Sequence, residues 1–135
     1  MGSSSSQQRL TNQQHLTNHQ IYLRDTGYCI QTFNVQGYVP QLTNCAIYSD
    51  GTYIDYINGQ LRYPNSDMCI GIRESSMVDG TGAVMWKCSD SIKDQKWTLL
   101  DDGRIRNDNS QLCLTHDTYN KLKQTDCNKA DRFVW

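Results

Sequence analysis

Polar and apolar residues alternate in short runs along this chain and never settle into a helical period. The clearest case is Tyr53-Ile54-Asp55-Tyr56-Ile57, then Asn58-Gly59, then Gln60-Leu61-Arg62-Tyr63, closed by Pro64. Two alternating runs about Asn-Gly predict a β-hairpin, because both central residues of a tight type I′ turn need positive φ. Proline then ends the second strand, having no N–H to donate to the ladder. Lys96 to Leu100, Asp102-Gly103 and Arg104-Ile105-Arg106 form a counterpart. The longer stretches 33–44 and 73–82 are expected to be solvent-facing loops, where a rigid scaffold usually carries its binding groups. Nothing in the pattern supports a helical bundle.

The apolar positions also repeat at long range. Ile21, Leu61 and Ile105 each lie eight residues before a cysteine, at Cys29, Cys69 and Cys113. Each of these cysteines is followed by an aliphatic residue: Ile30, Ile70 and Leu114. A second cysteine follows in each unit, at Cys45, Cys88 and Cys127, and eight or nine residues later come Ile54, Trp97 and Trp135. A Gly-x-aliphatic step, Gly59-Gln60-Leu61 or Gly103-Arg104-Ile105, then opens the next unit. The units run over about 21–60, 61–104 and 105–135, an internal repeat of the kind that sets a whole architecture. The third stops before its own Gly-x-aliphatic, and Ile21 supplies the equivalent residue. Joining the termini would complete a closed three-fold β structure without exposed edges.

Six cysteines allow fifteen connectivities. The equal layout of the units selects one, Cys29–Cys45, Cys69–Cys88 and Cys113–Cys127. Each bridge would close a short loop and stabilise the fold by roughly 3 kcal/mol on the chain-entropy model. With no Cys-x-x-Cys pair, a zinc ribbon or a thioredoxin-type site is a poor fit, and a disulfide framework implies an oxidising compartment. The expected location is therefore secreted or extracellular.

Composition narrows the function further. The 135 residues suit one domain, and eight Tyr and three Trp supply much of the large apolar surface. A formal charge of −1 with the signs interspersed leaves no basic stripe, which argues against nucleic-acid binding. No apolar run reaches the eighteen or so residues of a membrane helix, and no membrane insertion is expected. Residues 1–19 are polar and aperiodic, so they read as a disordered tail or a vector-derived linker, with Met1 to Ser6 resembling a vector scar and no signal peptide in evidence. His15 and His19 stand four apart, but nothing amphipathic supports the helix that would make them a metal pair.

In this setting Cys69-Ile70, Trp86-Lys87-Cys88, Gln95-Lys96-Trp97 and Gly103-Arg104-Ile105 resemble the ricin B-chain-like family, the R-type lectins. Cys113-Leu114 with Phe133-Val134-Trp135, and Cys29-Ile30 with Thr52-Tyr53-Ile54, are weaker copies. The resemblance covers about residues 20–135 and implies an all-β, twelve-stranded β-trefoil. It also implies a sugar site in each repeat: an acidic residue just after the first Cys-aliphatic, an aromatic before the second cysteine, and an Asn adjoining the Gln of Gln-x-Trp. Such a site packs an aromatic face on the C–H side of a sugar and gives carboxylates and amides to its hydroxyls.

Repeat two matches with Trp86 and places Asp94 beside Gln95, but Gly71 stands at the acidic position, with Arg73 and Glu74 just beyond. The corresponding pairs are Gln31 and Thr43 in repeat one, and Thr115 and Thr125 in repeat three, where His116, Asp117 and Tyr119 lie nearby. The candidate ligand-binding residues are thus Trp86, Asp94, Gln95, Glu74 and Asp117, while Trp97 and Trp135 are expected in the core and Gln95 to brace backbone as well. The resemblance implies a non-catalytic carbohydrate-binding module, the recognition part of a toxin, adhesin or larger secreted enzyme. No metal, cofactor or catalytic residue is expected of it. Its partners would be glycans on cell-surface glycoproteins or glycolipids, together with other domains or subunits of a larger protein. The alternative is a trefoil that has lost sugar binding and serves protein interaction.

Overall fold

The structure of the chain, a computed structural model, describes residues 7–9 and 14–135. Residues 1–6 and 10–13, part of the stretch expected as a tail, lie outside the described residues. Three sets of four strands follow the three repeats. The first is β2 (Tyr22–Leu23), β3 (Tyr28–Gln31), β4 (Gln41–Asn44) and β5 (Tyr53–Ile57). The second is β6 (Gln60–Arg62), β7 (Met68–Ile72), β8 (Ala83–Lys87) and β9 (Trp97–Leu99). The third is β10 (Ile105–Asn107), β11 (Cys113–His116), β12 (Leu122–Thr125) and β13 (Phe133–Val134).

The last strand of each repeat pairs with the first of the next, giving ladders in the order β5-β6-β7-β8, β9-β10-β11-β12 and β13-β2-β3-β4. The third of these closes the molecule: Phe133 faces Leu23 and Val134 faces Tyr22 across the termini. This is the β-trefoil, and the three disulfides join the cysteines within each repeat, Cys29–Cys45, Cys69–Cys88 and Cys113–Cys127.

Two stretches differ from the sequence expectation. Leu16–Gln20, within or bordering the expected tail, forms the additional strand β1 on the edge of β5, so part of the tail is ordered by ladder bonds. Gln7 is tied down as well, donating from Nε2 to the Phe133 carbonyl at 2.7 Å and from its N–H to the Asp101 carbonyl at 2.8 Å. The second difference is Gln41–Asn44, expected as loop, which pairs with β3 because Leu42 sits opposite Ile30 and both are buried.

The two hairpin turns take different forms. Asn58 and Gly59 both have positive φ, 54° and 79°, as a two-residue I′ turn requires. At 101–103 only Gly103 is left-handed, with φ 98°, and Leu100 N–H bonds the Arg104 carbonyl at 2.8 Å. That is a three-residue turn ending on a left-handed glycine.

The core repeats by threes, with Ile21, Leu61 and Ile105 in one set and Ile30, Ile70 and Leu114 in another, all buried. Each such side chain contributes about 1.5–3 kcal/mol on leaving water. Strand register corrects one equivalence. Trp97 pairs with Asn107 and Phe133 with Leu23, each partner lying six residues before the first cysteine of its repeat. Phe133, not Trp135, is therefore the counterpart of Trp97, and both are fully buried. Trp135 is only partly buried and packs against the core from outside. The connection after Cys127 is shorter than those after Cys45 and Cys88, which is why counting misplaced it.

Each long hairpin loop hooks onto the next repeat. Gly37 N–H bonds the Met85 carbonyl of β8, Gly80 N–H bonds the Gln124 carbonyl of β12, and Leu42 N–H of β4 bonds the Asn120 carbonyl. The second of these links fixes the loop 73–82, which begins at the candidate site.

Candidate functional site

A pocket of about 410 Å³ opens in repeat two between the end of β7 with the 3-10 turn Arg73–Ser75, the outer part of β8 and the 3-10 turn Lys93–Gln95. Trp86, Asp94, Gln95 and Glu74 all line it, so four of the five candidate residues are brought together. Trp86 reaches this wall because β8 alternates: Met85 turns into the core while Trp86, opposite Cys69, faces outward and remains 45% exposed. Val84 and Ile92 add apolar lining beside it.

Asp94 forms the polar floor. Its residue is only 6% exposed, and its carboxylate accepts from the Ile72 N–H at 3.0 Å through Oδ1 and from the Ser75 hydroxyl through Oδ2. Its main-chain carbonyl is held in turn by Asn107 Nδ2 at 2.7 Å. Gln95 is committed differently. Its Nε2 donates to the Lys87 carbonyl at 2.8 Å, and its Oε1 accepts from Ser89 N–H at 2.9 Å and Gln60 Nε2 at 3.3 Å. The fully buried amide thus braces the end of the strand that carries Trp86.

Glu74 stands on the rim, exposed, in a left-handed conformation with φ 55° and ψ 29°. Ser75 follows with φ 55°, so two consecutive non-glycine residues occupy a sparsely populated region. The Ser75 hydroxyl bond to Asp94 and the Ser76 N–H bond to the Arg73 carbonyl fix this turn.

Asp117 does not line this pocket. It caps the β11–β12 turn, accepting from Tyr119 N–H at 2.8 Å and Lys121 N–H at 3.0 Å. The Lys121 bond, assisted by that from Tyr119, holds its carboxyl below the usual carboxylate range. Nearby, His116 Nδ1 and Thr115 Oγ1 both contact Asp131 Oδ2, at 2.7 and 2.9 Å.

A second, shallower hollow of about 370 Å³ lies at the equivalent place in repeat one, lined by Gln31, Phe33, Gln41, Thr43 and Tyr48. Its aromatic surface comes from Phe33 and Tyr48, residues that the repeat pattern did not single out, because the equivalent of Trp86 there is Thr43. Ser75, which fixes Asp94, was also missed, since its part depends on a turn that brings it back to a residue nineteen positions on. His15 and His19 belong to or border β1 rather than a helix, and the described residues contain no cluster of three His, Cys, Asp or Glu placed for a metal.

Comparison with known proteins agrees with the fold. Residues 57–135 match the family model of the ricin-type beta-trefoil lectin domain, and the chain belongs to that family. It is similar to beta-galactoside-specific lectin 2 of Viscum album, with 39% identity over 74 residues; that match takes in 50% of this chain and 13% of the other. The chain therefore corresponds to a small part of that protein's length. Among solved structures it resembles the hemolytic lectin CEL-III (TM-score 0.71, 18% identity, 90% of this chain and 30% of that one). It also resembles the agglutinin from Abrus precatorius (TM-score 0.69, 17% identity, 97% of this chain and 47% of that one). The designed three-fold symmetric protein ThreeFoil shares the fold as well, with TM-score 0.68 and 17% identity over 85% of this chain and 96% of that one.

Proposed function

We propose that this module binds a neutral sugar in the pocket of repeat two. The observation that carries the reading is the pairing of a half-exposed indole with a buried carboxylate across one pocket. Trp86 offers a flat apolar face to the C–H side of a pyranose, and Asp94 accepts hydroxyl protons at the pocket floor. Gln95 holds the strand end that positions Trp86, and Glu74 contributes an acceptor from the rim. Asp117 is a turn cap in this reading and contacts no sugar.

The name of the Viscum album relative makes β-galactosides the first class to test. A single shallow site binds weakly, so useful affinity comes from a second module or a multimer displaying several sites at once. Such a module suits the recognition part of a secreted toxin, adhesin or larger enzyme, directed at glycans on cell-surface glycoproteins or glycolipids.

A glycan array with wild type and Trp86→Ala side by side tests this reading. Expected is binding by the wild type that falls at least tenfold in the folded variant. Binding that survives Trp86→Ala would remove the site from repeat two. Absence of wild-type binding across a broad array would replace sugar by a protein partner.

A further inference from the structure

The hollow of repeat one has the opposite polarity to the pocket of repeat two. Its floor is a row of side chains carried on adjacent stretches of extended backbone. Gln31 of β3 pairs with Gln41 of β4, and Gln41 bridges in turn to Lys121, just before β12. Residues paired in this way point to one face, with their backbones about 4.8 Å apart. In repeat two the corresponding register pair is Gly71 and Val84, and neither brings a polar side chain.

Hydrogen bonds run along this row in one direction. Lys121 Nζ donates to Gln41 Oε1 at 2.6 Å, Gln41 Nε2 to Gln31 Oε1 at 2.9 Å, and Gln31 Nε2 to the Asp50 carbonyl at 2.7 Å. Both ends fix that direction, because an ammonium has no acceptor and a carbonyl no donor, so neither amide can turn over. Each nitrogen keeps donor capacity that the row does not use, a second N–H on either amide and the remaining N–H groups of the ammonium. None of the residues lining the hollow is acidic, and Asp50 enters the network through its main-chain carbonyl. Among the described residues Lys121 forms no ion pair. Phe33 and Tyr48 supply the apolar wall, and Phe33 is braced by Tyr38, their ring centroids 5.7 Å apart.

We propose that this hollow is a second binding site, selective for a sugar that carries a negative charge as a carboxylate or a sulfate ester. The ring packs its C–H face on Phe33 and Tyr48, and the anionic oxygens accept from the Gln31 and Gln41 amides and the Lys121 ammonium. Lys121 belongs to repeat three, so the site is assembled across two repeats. The pocket of repeat two has a buried carboxylate in its floor, which repels such a ligand. The two sites thus divide acidic from neutral sugars. This goes beyond the neutral-sugar reading above and does not depend on it.

The test titrates wild type, Trp86→Ala, Lys121→Met and Lys121→Arg with methyl β-glucuronide and galactose 6-sulfate, each against its neutral parent, methyl β-glucoside and galactose. Binding is read at low salt from the side-chain amide resonances of Gln31 and Gln41. At least one acidic sugar should shift both amides saturably, with its neutral parent about fivefold weaker and the difference shrinking as salt rises. A response to the glucuronide alone assigns a carboxylate, and one to the sulfate alone a sulfate ester. Lys121 is exposed and Met keeps its stem, so Lys121→Met should fold and bind the acidic sugar no better than the neutral one. Lys121→Arg should retain the preference, and Trp86→Ala should leave it unchanged. Equal affinity for acidic and neutral sugars, or amides that no acidic sugar moves, would overturn the proposal. So would undiminished acidic-sugar binding in Lys121→Met, or its loss in folded Trp86→Ala. Should Lys121→Met fail to fold, the wild-type preference and its salt dependence still decide.

Discussion

Replacing Gly71 by Ala adds one methyl group and nothing else. Gly71 has no left-handed φ, so Ala imposes no backbone strain there, and in a strand interior it would ordinarily gain about 0.5–1 kcal/mol over Gly. The space is what forbids it. The added Cβ would fall within 3.0 Å of Asp94 Oδ1, closer than real Cβ atoms come, with Gln95 Cγ at 3.2 Å behind. The carboxylate is no loose end able to swing aside, because Ile72 N–H and Ser75 hold its two oxygens and Asp94 is 6% exposed. Moving it breaks at least one bond to a charged acceptor, worth about 1.5–3 kcal/mol. After the intrinsic gain of Ala, a net loss of about 1.5 kcal/mol remains, a fall in Tm of roughly 5 °C at this chain length. Urea unfolding of wild type, Gly71→Ala, Asp94→Ala and the double variant measures it as a cycle. In the Asp94→Ala background the same substitution should be neutral or stabilising. An equal cost in both backgrounds would refute the reasoning, since the clash partner would then not be Asp94.

Three further outcomes follow from the geometry. Replacing both Cys69 and Cys88 by Ala should cost about 3 kcal/mol, read in urea, because the bridge closes a loop of about that entropy. Phe133→Ala should cost about 3–5 kcal/mol and Trp135→Ala clearly less, since only Phe133 is fully buried; equal costs would restore Trp135 as the counterpart of Trp97. Burial, with the nearby Asp108 charge, pushes the Tyr56 phenol well above the ordinary tyrosine value. The unfolded chain then releases that proton first, so Tyr56 favours folding below about pH 10 and this contribution is lost as pH rises further. Alkaline denaturation followed by circular dichroism should show a smaller loss in Tyr56→Phe, although that variant gives up the 2.5 Å bond from its hydroxyl to the Trp97 carbonyl.

The architecture was legible because its signals are one-dimensional. Cysteine spacing, the aliphatic after each first cysteine and the Gly-x-aliphatic step survive as counts along the chain, and they carry the three-fold repeat, its disulfides and its closure. Counting failed where a connection changed length, as between Cys127 and Phe133. It also failed at 16–20, where a polar stretch becomes a strand because the β5 edge offers ladder partners to any backbone. Trp86, Asp94, Gln95 and Glu74 were readable as a group only through the resemblance to the R-type lectin repeat, which assigns binding positions that spacing alone does not. The close approach of Asp94 to Gly71 was not readable, because it joins positions twenty-three residues apart through a contact that no spacing encodes. Gly71 looked like a missing acid; the structure places the Asp94 carboxylate against it.

The indole resonances of the three tryptophans offer the most direct measurement of sugar binding at repeat two. Trp86 is 45% exposed in the pocket, whereas Trp97 is fully buried and donates its Nε1–H to the Ile70 carbonyl at 2.9 Å. Titration with the strongest ligand from the array should shift the Trp86 indole progressively and leave Trp97 nearly still. Saturable binding with Trp86 unmoved, or with only Trp135 responding, would contradict a sugar site in this pocket.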